Sequence, residues 1–460
     1  MKISEKVIQE YIWKNRNNLY ELFEEVEFPR LIEKEKPWEL EPSEIIFNTI
    51  ISKYKELWKE VKLINLFACE VPLKKLDDNT IRADFLANFE GLNGIGIIEL
   101  KKSAQTERQS FTELLGYGSH IRTLFTPMSK LDITYILIAP MEERIVRESV
   151  INKLLYEQIN TFALIPIYDE NNINSLKLRP WIPDLNEIKN LIRKVFHEDN
   201  FVIFKVVWDG LIGDWSPKNK GDYPTQKMKD RMNIVSSYTA QLMEERGING
   251  FCYSSQVYSE QRDYHGHLTN AINIVGLNPY HATKYRYLQE VIENYSIDNF
   301  SVKINDIIPE IKNKYHNNYD TEDIFEQLQS DWSESIVKLG FEVVDTLTKS
   351  IKYKFIEDSY GEFNWSDFQR NLDENSDIYK FNIHPTGILR KLYAEYLKLD
   401  YNYIREYGCN EHPMCYETDD IPIYLIDSIT NHYMFYNFLE RLSMVISNKS
   451  LDEYPLYAII

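Results

Sequence analysis

The sequence predicts an α/β protein whose larger carboxyl-terminal part combines an α/β unit with a mostly helical region. Helical periodicity alternates with short apolar runs along residues 40–170, and the same alternation returns after residue 201. Beyond about residue 298 the pattern favours helices, and acidic residues accumulate. The predicted divisions are a helical lead (1–40), an α/β domain (41–170), a connector (171–200), an α/β unit (201–300) and an acidic, mostly helical region (301–460).

The first domain is predicted to contain helices and strands in an order set by its hydrophobic periods. An amphipathic helix over 5–26 precedes it, and Pro42 opens the next helix, because proline is favoured in a first turn. Runs rich in β-branched and aromatic residues predict the strands. The predicted order is helix 42–60, strands 63–70, 82–90 and 95–102, helix 105–125, strand 133–140, helix 142–159 and strand 162–168.

The second α/β unit is predicted to open with a strand over 201–208. A long helix over 225–246 follows, and Gly247 ends it because glycine adopts the left-handed conformation of helix caps. An apolar run over 250–253 predicts the next strand.

Composition excludes several classes of protein. Four cysteines in 460 residues do not make a disulfide scaffold. No glycine-rich loop ends in Gly-Lys-Ser or Gly-Lys-Thr, which argues against a P-loop ATPase. The net charge of −19 argues against a protein that coats nucleic acid through bulk positive charge. No apolar run suits a membrane helix or a secretory signal, so we expect a cytoplasmic protein without a membrane partner.

Two predicted strands carry charged residues on one face. Alternation places Asp84 on one face of the 82–90 strand, and Glu99 and Lys101 on one face of the next. A four-residue loop over 90–93 sets Asp84 directly opposite Glu99, with Cβ atoms about 5 Å apart. The rival register turns at Asn93-Gly94 and separates the two acids by about 13 Å of strand.

Two carboxylates this close repel each other unless a positive charge lies between them. A divalent cation removes the repulsion, and oxygen ligands favour Mg²⁺ or Mn²⁺. Lys101 beside the cation is suited to position or deprotonate a water and to stabilise negative charge on a phosphate. The alternative is a solvated strand face with an ordinary cross-strand ion pair.

This segment resembles the PD-(D/E)xK nuclease superfamily, which has the restriction-endonuclease-like fold. The resemblance lies in Asp84, in Glu99-Leu100-Lys101 preceded by Ile97-Ile98, and in the element order across 40–170. Ala83 stands where the family often has proline. The resemblance implies a mixed sheet flanked by helices, catalytic Asp84, Glu99 and Lys101, and a metal held by Asp84, Glu99 and the Leu100 carbonyl.

The resemblance also implies supporting polar residues on neighbouring helices. Gln105, Gln109 and Glu113 recur at four-residue steps on one helical face, with Tyr117 four residues beyond. We take Gln109 and Glu113 as candidates, although this face also fits the wet side of an amphipathic helix. Glu44 is the candidate glutamate of the first core helix, or a plain first-turn acid favoured by the helix dipole.

Two further patterns lie outside this domain. A basic cluster suited to phosphate contacts, or simply to a solvated loop, contains Lys218, Lys220, Lys227, Lys229 and Arg231. Cys409, His412 and Cys415 have the spacing of zinc ligands, with Cys252, His265 or His267 as a distant fourth ligand. The same residues also fit a polar loop with two ordinary thiols.

The sequence therefore predicts a metal-dependent nuclease, with DNA as the expected substrate and RNA as an alternative. By analogy with similar nucleases joined to sensors or partner ATPases, we expect an effector of bacterial anti-phage defence or restriction. Residues 301–460 carry 15 basic and 28 acidic residues, a net charge of −13, and are expected to meet another copy or a partner subunit. The alternative is a catalytically inactive scaffold that binds nucleic acid or docks a partner.

Overall fold

A computed structural model of the chain describes most of both predicted α/β regions. The described residues are 3–36, 39–72, 82–89, 94–188, 200–208, 226–257, 270–280, 321–348, 356–362, 378–380 and 382–408, with single residues 435, 438, 439 and 442. The chain divides into two compact units, one formed by 1–33 and 43–189 and the other by 34–42 and 190–460.

The first unit has the element order that the sequence predicts. From α2 to β5, each predicted helix and strand is confirmed. The elements are α1 (Glu5–Lys14), a 3-10 helix (Arg16–Leu22), α2 (Pro42–Lys62), β1 (Ile64–Pro72), β2 (Arg82–Phe89), β3 (Ile95–Leu100), α3 (Ala104–Leu124), β4 (Ile133–Ile138), α4 (Arg144–Leu155), β5 (Asn160–Asp169) and β6 (Asn172–Pro180).

Two predictions for the ends of this unit are wrong. The helix predicted over 5–26 ends at Lys14, because Asn15 closes it with non-helical dihedrals and Asn18 interrupts the 3-10 turn that follows. The connector predicted over 171–200 contains β6, which pairs with β5. Alternate residues of β6 are buried at its end, so this strand completes the sheet.

The first unit is built on a mixed six-stranded sheet in the order β1-β2-β3-β4-β5-β6. The strands β1, β2 and β3 form an antiparallel meander, β4 is parallel to β3, and β5 is parallel to β4. Strand β6 is antiparallel to β5. The ends of β2 and β3 that carry the predicted charged residues therefore lie beside each other in the middle of the sheet.

Helices cover the two faces of this sheet. Phe85, Ile98, Ile136 and Phe162 form one cross-strand row, and Tyr54 of α2 stacks on Phe162 with ring centroids 4.4 Å apart. The Tyr54 hydroxyl also accepts a hydrogen bond from the Ala163 main-chain nitrogen at 2.9 Å. Asp84 and Glu99 lie on the opposite face, where Gln9 of α1 and Glu113 of α3 reach the site.

The second unit also consists of a β-sheet and helices. Its elements are β7 (Phe201–Trp208), α5 (Gln226–Glu245), β8 (Gly250–Val257), β9 (Asn270–Leu277), α6 (Thr321–Thr348), β10 (Ile356–Glu362), β11 (Ile378–Lys380), β12 (His384–Thr386) and α7 (Gly387–Tyr407). The sheet order is β10-β7-β9-β8-β11, and β12 also pairs with β8. The predicted strand, helix and strand that open this unit are confirmed.

Most of the described residues of 301–460 are helical, but the predicted boundary at residue 300 does not separate them from the α/β unit before it. Strand β10 pairs with β7, and β11 and β12 pair with β8, so the carboxyl-terminal part contributes strands to the sheet. Ile336, Leu339 and Val343 of α6 belong to the same buried core as the residues of β7 and α5. In the part of the chain that the structure describes, no helix is long and apolar enough to cross a membrane.

Candidate active site

The register between β2 and β3 places the predicted acids opposite each other. Phe85 pairs with Ile98 and Leu86 with Ile97, and the same register sets Asp84 across from Glu99. The register predicted from a four-residue loop is confirmed, and the rival register is wrong. Cross-strand neighbours of this kind have Cβ atoms about 5 Å apart.

Glycine is needed at position 94 because of a close backbone contact, and not because of the two-residue Asn93-Gly94 turn. It has φ +131°, and a Cβ atom built there would lie 2.2 Å from the Asp132 main-chain oxygen. Glycine is therefore required because the start of β3 passes close to the residue that precedes β4. The glycine of the Asn93-Gly94 pair is therefore explained by the close approach of two backbone segments.

Asp84 replaces a main-chain acceptor at the point where β2 and β3 stop pairing. The last paired residues are Phe85 and Ile98. Beyond them the Leu100 main-chain nitrogen donates to Asp84 Oδ2 at 2.7 Å. Gln9 Nε2 of α1 donates to Asp84 Oδ1 at 2.8 Å. Both carboxylate oxygens are therefore held by donors from different elements.

Lys101 lies between two glutamates. Its Nζ is 2.6 Å from Glu99 Oε1 and 2.6 Å from Glu113 Oε2. The Glu99 side chain is only 3 % exposed and that of Lys101 12 %. Beyond the end of β3 the Lys101 main-chain nitrogen still donates to the Ile138 oxygen at 2.8 Å, so β4 fixes the backbone that presents this lysine.

Burial and the neighbouring charges together shift the pKa values of the four ionisable side chains of the site. Burial raises the pKa of Asp84 to about 6, against hydrogen bonding from Leu100 and the charge of Lys101. Burial, followed by hydrogen bonding with Glu113, raises the pKa of Glu99. Burial alone would lower the pKa of Lys101, but its bonds to Glu113 and Glu99 raise it. Burial alone would raise the pKa of Glu113, but Glu99 and Lys101 lower it.

These shifts show that burial leaves the two acids short of compensating positive charge. Two buried acids resist ionisation because the positive charge present, that of Lys101, does not fully compensate for burial. Glu99 Oε2 is buried and accepts no hydrogen bond, although a protonated Glu99 shares its proton with Glu113. When Glu99 is ionised, a buried oxygen without a donor is costly unless a ligand completes it.

The donor set fits a hard cation that keeps several waters. Among the described residues, no group of three or more His, Cys, Asp or Glu side chains is placed to hold a metal ion. Asp84 and Glu99, opposite each other across β2 and β3, are two carboxylates that could hold a cation, with main chain, water and substrate as the further ligands. Mg²⁺ commonly binds through one or two carboxylates in this way, whereas structural zinc requires a full set of protein ligands.

Gln9 is a site residue that the sequence analysis missed. It lies beside Ile8 and Ile12 on α1 and is only 7 % exposed. One turn earlier, Glu5 Oε2 accepts a hydrogen bond from the Lys102 main-chain nitrogen at 3.0 Å. A glutamine next to the apolar stripe of an amphipathic helix was the available signal, but nothing local shows which strand it meets.

The predicted supporting residues have different outcomes. Glu113 reaches the site through Lys101. The Tyr117 hydroxyl donates to the Arg82 main-chain oxygen at 2.7 Å, so it supports the start of β2. Gln109 is exposed on α3, and Glu44 is buried in the first turn of α2. The supporting roles of Gln109 and Glu44 stay predictions, and the Gln105 side chain lies outside the described residues.

The patterns of the second unit are described only in part. Lys227, Lys229 and Arg231 lie in the first two turns of α5, whereas Lys218 and Lys220 are outside the described residues. Their contact with nucleic acid stays a prediction.

Cys409, His412 and Cys415, which have the spacing of zinc ligands but also fit a polar loop, lie outside the described residues, as do His265 and His267. Cys252 is fully buried and donates from Sγ to the Ser236 oxygen at 3.3 Å. Burial raises the pKa of this thiol, which is the opposite of what a zinc ligand needs.

Comparison with known proteins identifies no family for this chain. A scan against protein-family models, a search of curated proteins and a search of solved structures all find no match to the chain. The functional assignment therefore depends on the chemistry of the site.

Proposed function

We propose that this chain is a metal-dependent nuclease that hydrolyses phosphodiester bonds in DNA. The observation that carries the proposal is the convergence of Asp84, Glu99 and Lys101 at the ends of two paired strands. The antiparallel meander followed by a parallel β4 supports a restriction-endonuclease-like core, which is the finer fold that we propose for the first unit.

Asp84 and Glu99 would hold Mg²⁺ or Mn²⁺, with the Leu100 carbonyl as a further ligand. The unpaired Glu99 Oε2 supports this assignment, because it is a buried oxygen that lacks a donor. When bound, the cation supplies Lewis-acid polarisation of the phosphate and lowers the pKa of a bound water.

Lys101 acts in this scheme as a fixed positive charge. Its bonds to Glu99 and Glu113 raise its pKa, so it is an ammonium at neutral pH and cannot accept a proton from water. Its donors can instead orient the attacking water and stabilise the charge that develops on the phosphate. Glu113 holds the ammonium in place, since its Oε2 is 2.6 Å from Nζ.

The biological setting that we propose is bacterial anti-phage defence or restriction, with the second unit as the sensing or docking part. The net charge of −13 over 301–460 disfavours a path for DNA along that surface. These residues would meet another copy of the chain or a basic partner subunit. Two copies would also supply one metal site for each strand of a duplex.

The direct test is incubation of the purified chain with plasmid, linear DNA and RNA in Mg²⁺, Mn²⁺ or EDTA. We expect DNA cleavage that requires the metal and is lost in the Asp84→Ala, Glu99→Ala and Lys101→Ala variants. Glu10→Ala is the matched control, because Glu10 is exposed on α1. Cleavage that survives all three site substitutions would show that these residues are not the active site, and preferred cleavage of RNA would change the substrate class.

The second candidate is a catalytically inactive scaffold with the same fold. The observation that favours it is the ion-pair cluster itself, since Lys101 bonds both Glu99 and Glu113 and compensates part of their negative charge. A scaffold of this kind would bind no Mn²⁺ in calorimetric titration. Mn²⁺ binding that disappears in Asp84→Ala would favour the enzyme.

A further inference from the structure

The helix α1 lies outside the predicted nuclease domain, yet it contacts both strands that carry the site. Gln9 bonds Asp84 at the start of β2, and Glu5 bonds the Lys102 main chain just after β3. Lys102 Nζ donates in turn to the Ile3 oxygen before the helix. The helix therefore joins the two strand ends from above the sheet.

The position of α1 is fixed independently of these polar contacts. Ile8 and Ile12 are fully buried, and the Ser4 hydroxyl caps the helix by accepting from the Val7 nitrogen at 3.3 Å. Because the helix is anchored by its apolar side, Gln9 is presented to Asp84 from a rigid element. A rigid donor restricts the carboxylate more than a donor on a mobile loop does.

The two donors to Asp84 together set the plane of its carboxylate. Leu100 nitrogen holds Oδ2 and Gln9 Nε2 holds Oδ1, each with a short hydrogen bond. Each oxygen keeps a second lone pair for a cation. Rotation of the Asp84 side chain would break at least one of the two hydrogen bonds, so the carboxylate is held in a single orientation.

The chemical type of the donor at position 9 is equally informative. A glutamine amide donates without adding charge, so Asp84 keeps its full negative charge for a ligand. A lysine or arginine there would neutralise Asp84 and oppose a cation, and a glutamate would repel it. Among common side chains of this length, the amide suits a carboxylate that must be held and still bind a metal.

We infer that Gln9 is a positioning residue that orients Asp84 for metal binding, and that α1 is part of the active site. This inference rests on the proposed metal-dependent function. Loss of an outer hydrogen-bond partner typically weakens metal affinity 10–100-fold, so we expect about a tenfold loss when Gln9 is removed.

The test is calorimetric titration of Mn²⁺ into the full chain and into the Gln9→Met, Gln9→Lys and Glu10→Met variants. Gln9→Met keeps the length of the side chain without its donor, and should weaken Mn²⁺ binding about tenfold. Gln9→Lys keeps a donor and adds a positive charge, and should weaken binding further. Glu10→Met alters the next, exposed residue and should bind as the wild type does.

Hydrogen exchange of β2 at increasing urea in EDTA separates positioning from a structural role. In Gln9→Lys, β2 should be more stable than in the wild type, because the lysine pairs with Asp84, while the variant binds Mn²⁺ less well. A structural role predicts that stability and affinity move together in both variants. That outcome, or wild-type Mn²⁺ affinity in both variants, would overturn the inference.

The same titration distinguishes this inference from the proposed function. A wild-type chain that binds Mn²⁺ but cleaves no nucleic acid would refute the nuclease and leave the role of Gln9 measurable. A wild-type chain that binds no Mn²⁺ would refute both. Cleavage with unchanged affinity in Gln9→Met would refute the inference alone.

Discussion

Replacing Asp84 by asparagine should stabilise the metal-free protein while abolishing metal-dependent cleavage. Burial raises the pKa of this carboxyl from 3.8 to about 6. The folded state then binds the proton more tightly than the unfolded state, so the free energy of unfolding falls as pH rises from about 4 to about 6. Two pKa units correspond to about 3 kcal/mol, and the partial exposure of Asp84 reduces the expected gain to about 1–2 kcal/mol.

The substitution preserves the local hydrogen bonds. The asparagine oxygen still accepts from the Leu100 nitrogen, and Gln9 can turn its amide to accept from the new NH₂ group. The gain should therefore be full at pH 8 and nearly absent at about pH 3, where Asp84 is protonated in both the folded and the unfolded state.

The assay is hydrogen exchange of β2 and β3 at increasing urea in EDTA, since the chain has two units and a single unfolding curve would mix them. Asp169→Asn, in an exposed position at the end of β5, is the matched control. A variant that is less stable than the wild type at pH 8 would refute the reasoning. An equal difference at both pH values would refute it as well, because the effect would then not come from ionisation.

Three further predictions concern other parts of the chain. Lys101→Met should reduce cleavage at least about 100-fold. It should also destabilise β3 by about 2–3 kcal/mol at pH 8 and by less at pH 5, because Glu99 is then buried without the Lys101 ammonium. A loss of stability that does not depend on pH would contradict this. Gly250→Ala should destabilise the second unit by about 2 kcal/mol or more in urea-dependent exchange, since the new Cβ would lie 2.0 Å from the Val275 oxygen; unchanged exchange in β8 and β9 would contradict it. Gly116→Ala should stabilise α3 by about 0.5–1 kcal/mol, because nothing lies within 4 Å of its Cβ position; faster exchange of the α3 amides in the same urea series would contradict this.

The number of residues that follow one hydrophobic period largely decides which elements could be predicted from the sequence. Helices and strands from α2 to β5 have clear periods of 3.6 or 2, and the structure confirms them. The short strands β10, β11 and β12 do not, because three to seven residues carry too little alternation to stand out in an acidic, tyrosine-rich segment. Their pairing with β7 and β8 supplies the strand conformation that local sequence does not specify.

The 5–26 helix was mispredicted for a related reason. Leu19, Leu22 and Phe23 are buried, as the apolar pattern requires, but they are presented from a 3-10 turn and an extended residue. The apolar positions predict which residues are buried, whereas Asn15 and Asn18 decide where the regular helical backbone ends. Asparagine favours local hydrogen bonds to the chain over continued helix.

By itself the sequence determined the alternation of strand faces, and with it the placement of Asp84 and of the Glu99–Lys101 pair on the same side of the sheet. It left open whether these charges meet, since two hairpin registers satisfied the same alternation. Tertiary structure decided that question, because β2 and β3 pair in the register that sets Asp84 opposite Glu99. It also brought Gln9 to Asp84 from 75 residues away. A local pattern encodes which face a residue takes, whereas contacts across the chain depend on how the packed elements fit together.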